Sequence, residues 1–359
     1  MNPILLPVIP NSPCSKNQQS SEGEFQLKMF GKYNFIQNFL FKDELITYDD
    51  NYQNNQSNSK AFQRHMAEVY SMLRSEFPKG AKLVEVGCGK GSFLELVRGD
   101  EWFNYEGYDE AYEGADENIY GRYLNDDDRV EADIVVLRHT LEHIKKPFDF
   151  LKMLRNIFGD EALVFIEVPQ FNWIEKNKVI FDFTYEHVNY FSTESLCSLF
   201  NKVNSFGDFF GGQYQFCLAR LNELNSDNWY GFDLTKNWSD FNFEEYVSVF
   251  NNHVKSLDSK KRIWVWGGAT KGVLFLKHLL EYSPSNFGKV EAVIDANPKK
   301  QSLLTPSTYL PIISPSDLYS KLKAGDYVVV MNPNYLTEIR SDLAQNINVE
   351  IDVGAFMSV

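Results

Sequence analysis

The amino-acid sequence predicts an α/β protein with two doubly wound, Rossmann-like units. Two stretches of the chain each run strand, glycine turn, helix and strand, and each ends its second strand on an aspartate. Strands that alternate with helices pair in parallel and carry the helices on both faces of the sheet. The length of 359 residues agrees with two domains, because one domain usually holds about 100–200 residues.

The first unit occupies the middle of the chain, and we assign residues 61–221 to it. One of its strands is visible in the apolar run Ile134-Val135-Val136-Leu137, which is typical of a strand covered on both faces. Hydrophobic periodicity and turn residues predict the remaining elements. We expect strands at 81–86, 102–108, 132–137 and 162–168, and helices at 62–76, 92–98 and 148–158.

The second unit is a smaller α/β domain at the C-terminal end, residues 261–359. A polar connecting segment, residues 222–260, precedes it, and residues 1–60 form an N-terminal segment rich in Asn, Gln and Ser. Elements of the second unit and of the connecting segment are again predicted from periodicity. We expect strands at 262–266, 290–295 and 327–331, and helices at 243–257 and 273–281.

The charge balance argues against a nucleic-acid partner. The chain carries 35 Lys+Arg and 49 Asp+Glu, so its formal net charge at pH 7 is −14. Proteins that bind a phosphate backbone do so with Lys and Arg side chains that displace counterions. A small anionic substrate stays compatible with this composition, since a local basic pocket can oppose the global field.

Cysteine usage and hydropathy predict a cytoplasmic protein without a membrane partner. The chain has no CxxC pair, which is typical of a reducing compartment and argues against a cysteine zinc site. No run of about 18 apolar residues is present, and no basic segment precedes the apolar N-terminal stretch. The four scattered cysteines are Cys14, Cys88, Cys197 and Cys217.

A glycine turn follows the first predicted strand of the middle unit. Gly87, Gly89 and Gly91 let the backbone turn tightly, and the helix that follows directs its N–H groups toward a ligand. Asp109 ends the next strand, 109 − 85 = 24 residues after Glu85, which suits one βαβ step and places a carboxylate near ribose hydroxyls. The spacing G-x-G-x-G differs from the dinucleotide pattern G-x-G-x-x-G.

Two histidines follow the apolar strand of the same unit. His139 and His143 lie where ligands of open α/β sheets collect, beyond the carboxyl ends of the strands. Because the ordinary pKa of histidine lies near neutrality, both are candidate proton carriers. The alternative is that each histidine caps the turn and holds its backbone.

A third group of candidate residues surrounds His187. Glu186 and His187 are neighbours, and Tyr185 and Tyr190 flank them, so the segment offers an acid–base pair and hydroxyl groups for a ligand. The alternative is an aromatic strand edge without a function, since the chain contains 29 Phe and 19 Tyr.

The glycine turn, with Glu85 two residues before its first glycine, resembles motif I of the class I S-adenosylmethionine-dependent methyltransferases. The resemblance implies S-adenosylmethionine as the cofactor, with the turn around its methionine part, Asp109 on its ribose and Asp126 near its adenine. The cofactor-binding residues expected on this basis are Glu85, Gly87, Cys88, Gly89, Gly91, Asp109, Asp126 and His139.

Over about residues 46–345 the chain resembles the C-methyltransferases that act on nucleotide-linked 4-keto-deoxysugars. The resemblance implies an enzyme of carbohydrate biosynthesis that methylates a nucleotide-sugar, with Tyr52, Tyr190 and Lys271 on the substrate. The segments that carry it are Tyr48-Asp49-Asp50-Asn51-Tyr52, Gln56-Ser57-Asn58-Ser59, His65, Glu186-His187, Tyr190-Phe191-Ser192, Gly211-Gly212, Gly268-Ala269-Thr270-Lys271-Gly272, residues 293–301 and Thr305-Pro306.

Two positions depart from that family. Its N-terminal zinc module is held by cysteines, whereas residues 1–45 keep only Cys14, so the module is degenerate or lost and no metal is expected. Thr184 stands where the family usually has a catalytic tyrosine, and Tyr185 lies one place later. Methylation of an oxygen on a sugar or a related small molecule is therefore an alternative to C-methylation.

Methylation of a carbon next to a ketone requires a base for the α proton and a donor that stabilises the enolate. The hypothesis from the sequence is that His187 is the base and that Glu186 orients it. His143 and a tyrosine, either Tyr185 or Tyr52, would stabilise the enolate oxygen.

Two other classes of function stay open. The second glycine turn, with Lys271 at the start of a helix and Asp295 ending the next strand, is compatible with the diphosphate of a nucleotide-sugar or with NAD in an oxidoreductase. A nucleotide-binding protein without activity is the other alternative. The sequence is equally compatible with a monomer and a homodimer.

Overall fold

The computed structural model describes residues 3–30, 33, 35–48, 52–53, 59–225 and 238–356. The predicted fold class is confirmed: a large, mostly parallel sheet forms the middle of the chain, and a smaller parallel sheet forms the C-terminal part. The predicted strands and helices of both units are present, with boundaries that differ by a few residues.

The described strands are numbered in chain order. Up to the end of the middle unit they are β1 (Ile4–Pro7), β2 (Glu22–Phe25), β3 (Leu27–Phe30), β4 (Phe35–Asn38), β5 (Lys82–Val86), β6 (Asn104–Tyr108), β7 (Ile119–Tyr120), β8 (Ile134–Arg138), β9 (Leu163–Pro169), β10 (Asn189–Tyr190), β11 (Ser205–Phe209) and β12 (Tyr214–Arg220). After it they are β13 (Trp238–Asp240), β14 (Ile263–Trp266), β15 (Val290–Ile294), β16 (Ile312–Ile313), β17 (Tyr327–Val330) and β18 (Asp352–Ala355).

The described α-helices are numbered in the same way. They are α1 (Lys60–Glu76), α2 (Ser92–Asp100), α3 (Pro147–Phe158), α4 (Phe171–Asn177), α5 (Thr193–Cys197), α6 (Phe243–Val254), α7 (Thr270–Tyr282), α8 (Pro284–Phe287), α9 (Pro315–Lys321) and α10 (Leu336–Asn346). None of them, within the described parts of the chain, is long and apolar enough to cross a bilayer.

The middle unit is built on a seven-stranded sheet with the order β11-β12-β9-β8-β5-β6-β7. Strands β7, β6, β5, β8 and β9 pair in parallel, whereas β12 runs antiparallel to β9 and to β11. All five residues of β8 are buried, as the apolar run predicts for a strand covered on both faces. The strand order reverses at β5 and β8, and ligands of such sheets bind outside the strand ends at this position.

The C-terminal unit is built on a parallel five-stranded sheet with the order β16-β15-β14-β17-β18. Its central strand β14 continues into the second glycine turn and then into α7. Gly272, in the first turn of α7, lies so close to this turn that a Cβ atom on it would come 1.7 Å from the Gly267 carbonyl oxygen. The helix can therefore approach the strand only because this residue has no side chain.

The N-terminal segment forms strands that pair with the middle unit and with the connecting segment. Strands β1 and β2 pair with each other, and a second antiparallel sheet has the order β10-β4-β3-β13. Two of its four strands, β10 and β13, come from distant parts of the chain. The segment is thus an integral part of the fold, since it pairs directly with residues next to the predicted catalytic segment.

A polar seam joins the middle and C-terminal units. Asn332 and Gln213, both buried, exchange reciprocal amide hydrogen bonds of 2.9 and 3.1 Å. The carboxylate of Glu338 accepts hydrogen bonds from the Ala61 backbone amide (3.1 Å) and the Ser59 hydroxyl (3.2 Å) at the start of α1. A carboxylate at a helix N-terminus satisfies amides that have no partner within the helix and is favoured by the helix dipole. The seam fixes the two strand-end edges relative to each other.

Replacing Gly272 by Ala should destabilise the C-terminal unit by about 2–3 kcal/mol, because the added methyl group overlaps the Gly267 carbonyl. The measurement is the melting temperature of the full-length chain. Gly99→Ala is the matched control: Gly99 lies in α2, and a Cβ atom there meets nothing within 4 Å. Equal melting temperatures for Gly272→Ala and the control would contradict the close approach of α7 to the Gly267 carbonyl.

Candidate active site

The glycine turn between β5 and α2 forms an open cradle. Gly87, Gly89 and Gly91 all adopt positive φ angles, of 80°, 55° and 80°, which side chains rarely tolerate. A Cβ atom on Gly87 would lie 2.3 Å from the Thr140 hydroxyl, so the turn packs closely against the end of β8. A Cβ atom on Gly89 would meet nothing within 4 Å, so the middle of the turn borders open space.

Asp109 connects the end of β6 to this turn. One of its carboxylate oxygens accepts a hydrogen bond from the Gly89 amide (2.7 Å), and the other accepts from the Ala111 amide (2.8 Å). The side chain is partly exposed, and each carboxylate oxygen retains a second lone pair for a ligand. The carboxylate thus braces the cradle and borders it at the same time.

Glu85, on β5 just before the turn, is buried, and its Oε2 has no hydrogen-bond partner among the described residues. Burial raises its pKa to about 8, while the Arg138 guanidinium opposes this shift. Cys88, within the turn, is also buried, and burial raises the pKa of its thiol. Neither group is a strong anion or a reactive thiolate near neutral pH.

A buried polar network lies under the cradle. The Arg138 guanidinium and the His65 ring each lie 2.7 Å from the Glu167 carboxylate. Burial disfavours ionisation of Glu167, yet Arg138 and His65 together hold its pKa well below the usual range. His65 is contributed by α1 and Glu167 by β9, so this network links the first helix of the unit to the centre of the sheet.

His139 occupies an uncommon backbone conformation directly after β8, with a φ angle of 52°. Its Nδ1 lies 3.4 Å from the Glu142 carboxylate, and its ring contacts the Tyr214 ring edge-to-face at 4.5 Å between centroids. His139 also approaches His65 and Glu167, with one ligand atom of each within 4.8 Å of the others. The residue therefore joins the buried network to the turn that follows β8.

The turn after β8, residues 141–144, is hydrogen-bonded along its length to the segment 186–189. The Val188 amide donates to the Glu142 carbonyl (2.8 Å), and the Asn189 side-chain amide donates to the carbonyls of Leu141 (3.1 Å) and Ile144 (2.6 Å). The N-terminal sheet holds the other side, since β4 pairs with β10. We call these two paired segments the active-site clasp.

The clasp brings two imidazoles together. The His143 and His187 rings meet edge-to-face with 4.9 Å between centroids. His143 Nδ1 lies 3.0 Å from the Glu186 carbonyl, and because a carbonyl only accepts, this contact makes Nδ1 the protonated nitrogen. Burial lowers the pKa of both histidines, and that of His187 lies well below its usual value because His143 and His139 are also close. Both rings are therefore neutral bases near pH 7.

Two carboxylates accompany the imidazoles. Glu142 is 1% exposed, and neither of its oxygens has a hydrogen-bond partner among the described residues. One of these oxygens and one ring nitrogen each of His143 and His187 lie within 4.8 Å of one another. Glu186 accepts a hydrogen bond from the Tyr52 hydroxyl at 3.5 Å, and burial, followed by the nearby Glu142, raises its pKa to about 8.

Two tyrosines from the segment ahead of α1 complete the cluster. The Tyr48 hydroxyl lies 3.3 Å from His143 Nδ1, and the Tyr48 and Tyr52 rings contact each other with 4.7 Å between centroids. Burial and the carboxylate of Glu186 raise the pKa of both phenols, so both remain protonated hydrogen-bond donors. The intervening predicted residues Asp49, Asp50 and Asn51, and also 56–58, lie outside the described residues.

The hydroxyl groups of two tyrosines predicted for the site are engaged by the fold itself, although the Tyr190 ring lies near the His187 ring, with 6.3 Å between centroids. The Tyr185 hydroxyl accepts a hydrogen bond from the Lys42 amide (3.0 Å), and its fully buried ring fills the space over Gly23. The Tyr190 hydroxyl is bonded to both the amide and the carbonyl of Thr184 at 2.9 Å and is 2% exposed. Both hydroxyls are thus engaged inside the fold, and the roles of Tyr185 in catalysis and of Tyr190 in substrate binding stay predictions.

The second glycine turn has its polar groups engaged by the chain itself. Asp295 accepts from the Gly268 amide (3.0 Å), and the buried Lys300 ammonium donates to the Gly268 carbonyl (3.2 Å) and to Asn11 (3.3 Å). Lys271 forms an ion pair with Asp182. Lys300 and Lys271 both lie near the active-site clasp, since Lys300 acts on the pKa of Glu186 and Lys271 on that of His187.

The structure brings together most of the residues predicted for the site and adds three that were not singled out: Glu142, Tyr48 and Lys300. A signal for Glu142 was present, because it lies between two candidate histidines, but a sequence does not show which carboxylates are buried without partners. Asp126, predicted near adenine, is exposed on the loop after β7. Its neighbour Asp128 forms an ion pair with Arg122 at 2.8 Å.

Two sequence models of known families match the chain. One, described as a methyltransferase domain, matches residues 59–204, and the other, described as a C-methyltransferase C-terminal domain, matches residues 232–356. The protein is a methyltransferase. Residues 59–204 hold the glycine turn and the parallel strands of the seven-stranded sheet, so this part of the chain is its methyltransferase domain. The methyl donor expected from the glycine turn is S-adenosylmethionine.

A search of the curated proteins found no match. Among solved structures, an S-adenosylmethionine-dependent methyltransferase from Archaeoglobus fulgidus is 18% identical, with 45% of this chain and 100% of that chain covered and a TM-score of 0.32. A methyltransferase from Mesorhizobium loti is 12% identical (42% and 96% covered, TM-score 0.32). A plantazolicin methyltransferase in complex with SAH is 15% identical (34% and 52% covered, TM-score 0.27). No conclusion about the substrate follows from likenesses of this extent.

The cradle of this methyltransferase fits S-adenosylmethionine. Gly87, Gly89 and Gly91 all have left-handed conformations. The space beside Gly89, in the middle of the turn, contains no side chain of the described residues. Asp109 borders the same space with a partly exposed carboxylate that can accept hydrogen bonds from ribose hydroxyls.

Replacing Asp109 by Ala should weaken the binding of S-adenosylmethionine at least about 10-fold. The change removes the acceptor for ribose hydroxyls and also leaves the Gly89 amide without its partner. Isothermal titration calorimetry on the full chain measures the dissociation constant. Asp149→Ala, an exposed aspartate on α3, is the control and should bind as the unmodified chain does. Equal affinities for both variants would remove Asp109 from the cofactor site.

Proposed function

We propose that this methyltransferase transfers the methyl group to a carbon next to a carbonyl on a nucleotide-activated sugar. The observation that carries the proposal is the active-site cluster: neutral imidazoles, protonated phenols and buried carboxylates meet beyond the carboxyl end of β8. A carbon acid needs both a base and hydrogen-bond donors, and this cluster offers both. The match to a C-methyltransferase C-terminal domain supports a carbon acceptor.

In this proposal His187 removes the α proton. Its ring belongs to the cluster and is neutral near pH 7, because burial and the neighbouring histidines lower its pKa. A neutral imidazole can accept a proton without first losing one. The clasp holds His187 on a segment that is hydrogen-bonded on both sides, so the position of its ring is fixed before the substrate arrives.

Tyr52 stabilises the negative charge that develops on the carbonyl oxygen of the substrate. Tyr52 carries a phenol whose raised pKa keeps it protonated, and a protonated phenol can donate a hydrogen bond to an oxyanion. His143 keeps its proton on Nδ1 toward the Glu186 carbonyl, which leaves Nε2 as an acceptor. His143 therefore has no proton to donate to the oxyanion, and in this proposal it contributes through its contact with the His187 ring. S-adenosylmethionine supplies an electrophilic methyl group when it is bound.

The C-terminal domain provides the cations for the anionic part of the substrate. The start of α7 and Lys271 lie close enough to the clasp that Lys271 influences the pKa of His187. A helix N-terminus and a lysine are a common combination for phosphate binding. Because the whole chain has a net charge of −14, such a local positive surface would recruit a diphosphate selectively.

The test of the substrate class is a methyl-transfer assay with two nucleotide-sugars that differ only in a 4-keto or a 4-hydroxy group. Transfer to the keto sugar is expected, with the new methyl on carbon and with loss of one α deuterium from a labelled substrate. Product mass and NMR correlation spectra report the position. Transfer to the hydroxy sugar, with all deuterium retained, would show O-methylation instead.

Replacing His187 by Ala should lower turnover by about 10²–10⁴-fold, which is what a positioned general base contributes. Binding of S-adenosylmethionine should stay unchanged, because His187 makes no contact with the glycine cradle in the described structure. Turnover is measured at saturating keto sugar, and the cofactor dissociation constant by calorimetry. His253→Ala, on α6 in the connecting part of the chain, is the control. Near-normal turnover of His187→Ala would assign the base to another residue.

A further inference from the structure

We propose that Glu142, rather than Glu186, is the carboxylate that orients His187 and stabilises its imidazolium when the α proton is taken. The inference rests on the proposed role of His187 as the base. It assigns Glu142 as a positioning residue of the same site, since it acts through the imidazoles and not on the substrate.

The placement of Glu142 supports this assignment. The residue follows the end of β8 in the first half of the clasp, where the Val188 amide bonds to its backbone carbonyl at 2.8 Å. Its side chain is 1% exposed and approaches His143 and His187 to within 4.8 Å. On its other side His139 Nδ1 lies 3.4 Å away. Glu142 is thus enclosed by three imidazoles.

A buried carboxylate without hydrogen-bond partners is costly unless a positive charge forms beside it. Neither oxygen of Glu142 has such a partner among the described residues. In the resting site no hydrogen bond from the described residues satisfies this carboxylate. Protonation of His187 supplies a cation within reach, and this attraction makes the imidazole a stronger base at the moment when a base is needed.

Glu186 is less suited to this role although it precedes His187 in the sequence. Its carboxylate accepts the Tyr52 hydroxyl, so it is directed toward the phenols. Burial raises its pKa to about 8, and the nearby Glu142 adds to the shift, which leaves Glu186 mostly uncharged at neutral pH. An uncharged carboxyl gives an imidazolium little electrostatic support.

The proton balance of the step is simple. The C–H bond of the substrate breaks, its proton goes to a ring nitrogen of His187, and the electron pair stays on the substrate as the enolate. The cation on His187 then faces Glu142, with His139, His143 and Lys271 as the other basic groups near it and with Glu186, Tyr48 and Tyr52 as the acidic ones. The enolate carbon would then take the methyl group of S-adenosylmethionine as the C–S bond breaks, and S-adenosylhomocysteine would leave. The proton on His187 would pass to solvent after product release.

The test is the pH profile of kcat/KM for the full chain with Glu142→Gln, measured with the keto sugar as substrate. Since only neutral His187 acts as a base, the rate falls as the pH drops through its pKa. Loss of the carboxylate should move this acid limb to lower pH and reduce the plateau about 10²-fold. Glu142→Asp should restore part of the rate. Glu194→Gln, an exposed glutamate on α5, should leave the profile unchanged.

Two further measurements complete the test. Melting temperatures show whether the Glu142 variants are folded, and NMR of ¹³C-labelled histidines follows the ionisation of the imidazoles. NMR titration reports the ionisation of His187 directly, with His187→Ala identifying its signal, and it should show the same downward displacement in Glu142→Gln. An unchanged His187 titration together with an unchanged acid limb would overturn the proposal. The metal content of the purified proteins is a second check. The proposal would also be overturned if the unmodified chain held one divalent metal ion and the Glu142 variants held none. If His187→Ala itself keeps its turnover, the failure belongs to the proposed base and not to Glu142.

Discussion

The hydrogen bonding between the turn after β8 and the segment that carries His187 is the constraint on which the site depends. The Val188 amide and the Asn189 side chain satisfy the carbonyls of Leu141, Glu142 and Ile144, so two segments more than 40 residues apart behave as one element. Buried backbone groups must find partners, and this requirement makes the pairing specific. Glu142, His143 and His187 meet because their backbones are bonded together.

The two α/β units could be predicted because their signals are local. The apolar run of β8 and the glycines after β5 and β14 identify buried strands and their turns without any knowledge of the partner strands. In the N-terminal segment the runs 24–29 and 33–41 are strand-like, but the sheet that they join could not be predicted in the same way. Its strands β10 and β13 come from distant parts of the chain and hold two and three residues, so pairing across the fold, and not local pattern, defines them.

For the site, position at the ends of parallel strands identified His143 and Asp109. His187 was identified by residue type, as a neighbour of Glu186 in a segment flanked by tyrosines. Tertiary packing sets the direction in which a tyrosine hydroxyl points, and this direction cannot be predicted from the local sequence. Tyr185 turns into the N-terminal sheet, and Tyr190 bonds back to Thr184. Tyr48 instead reaches His143 from a segment without regular structure. Charge state is equally non-local, since burial decides whether Glu186 is an anion.

The division of labour between the two units follows from how each glycine turn is satisfied. Asp109 and Asp295 both brace their turns through a backbone amide, so the two units share the same local design. In the methyltransferase domain the space beside Gly89 is open, whereas in the C-terminal domain the Lys300 ammonium bonds to the turn at Gly268. The second turn thus has a partner from the chain itself at the position where the first turn is open. The C-terminal turn therefore contributes positive charge to the surroundings of the clasp. The Lys300 ammonium opposes the rise in the pKa of Glu186 that burial causes.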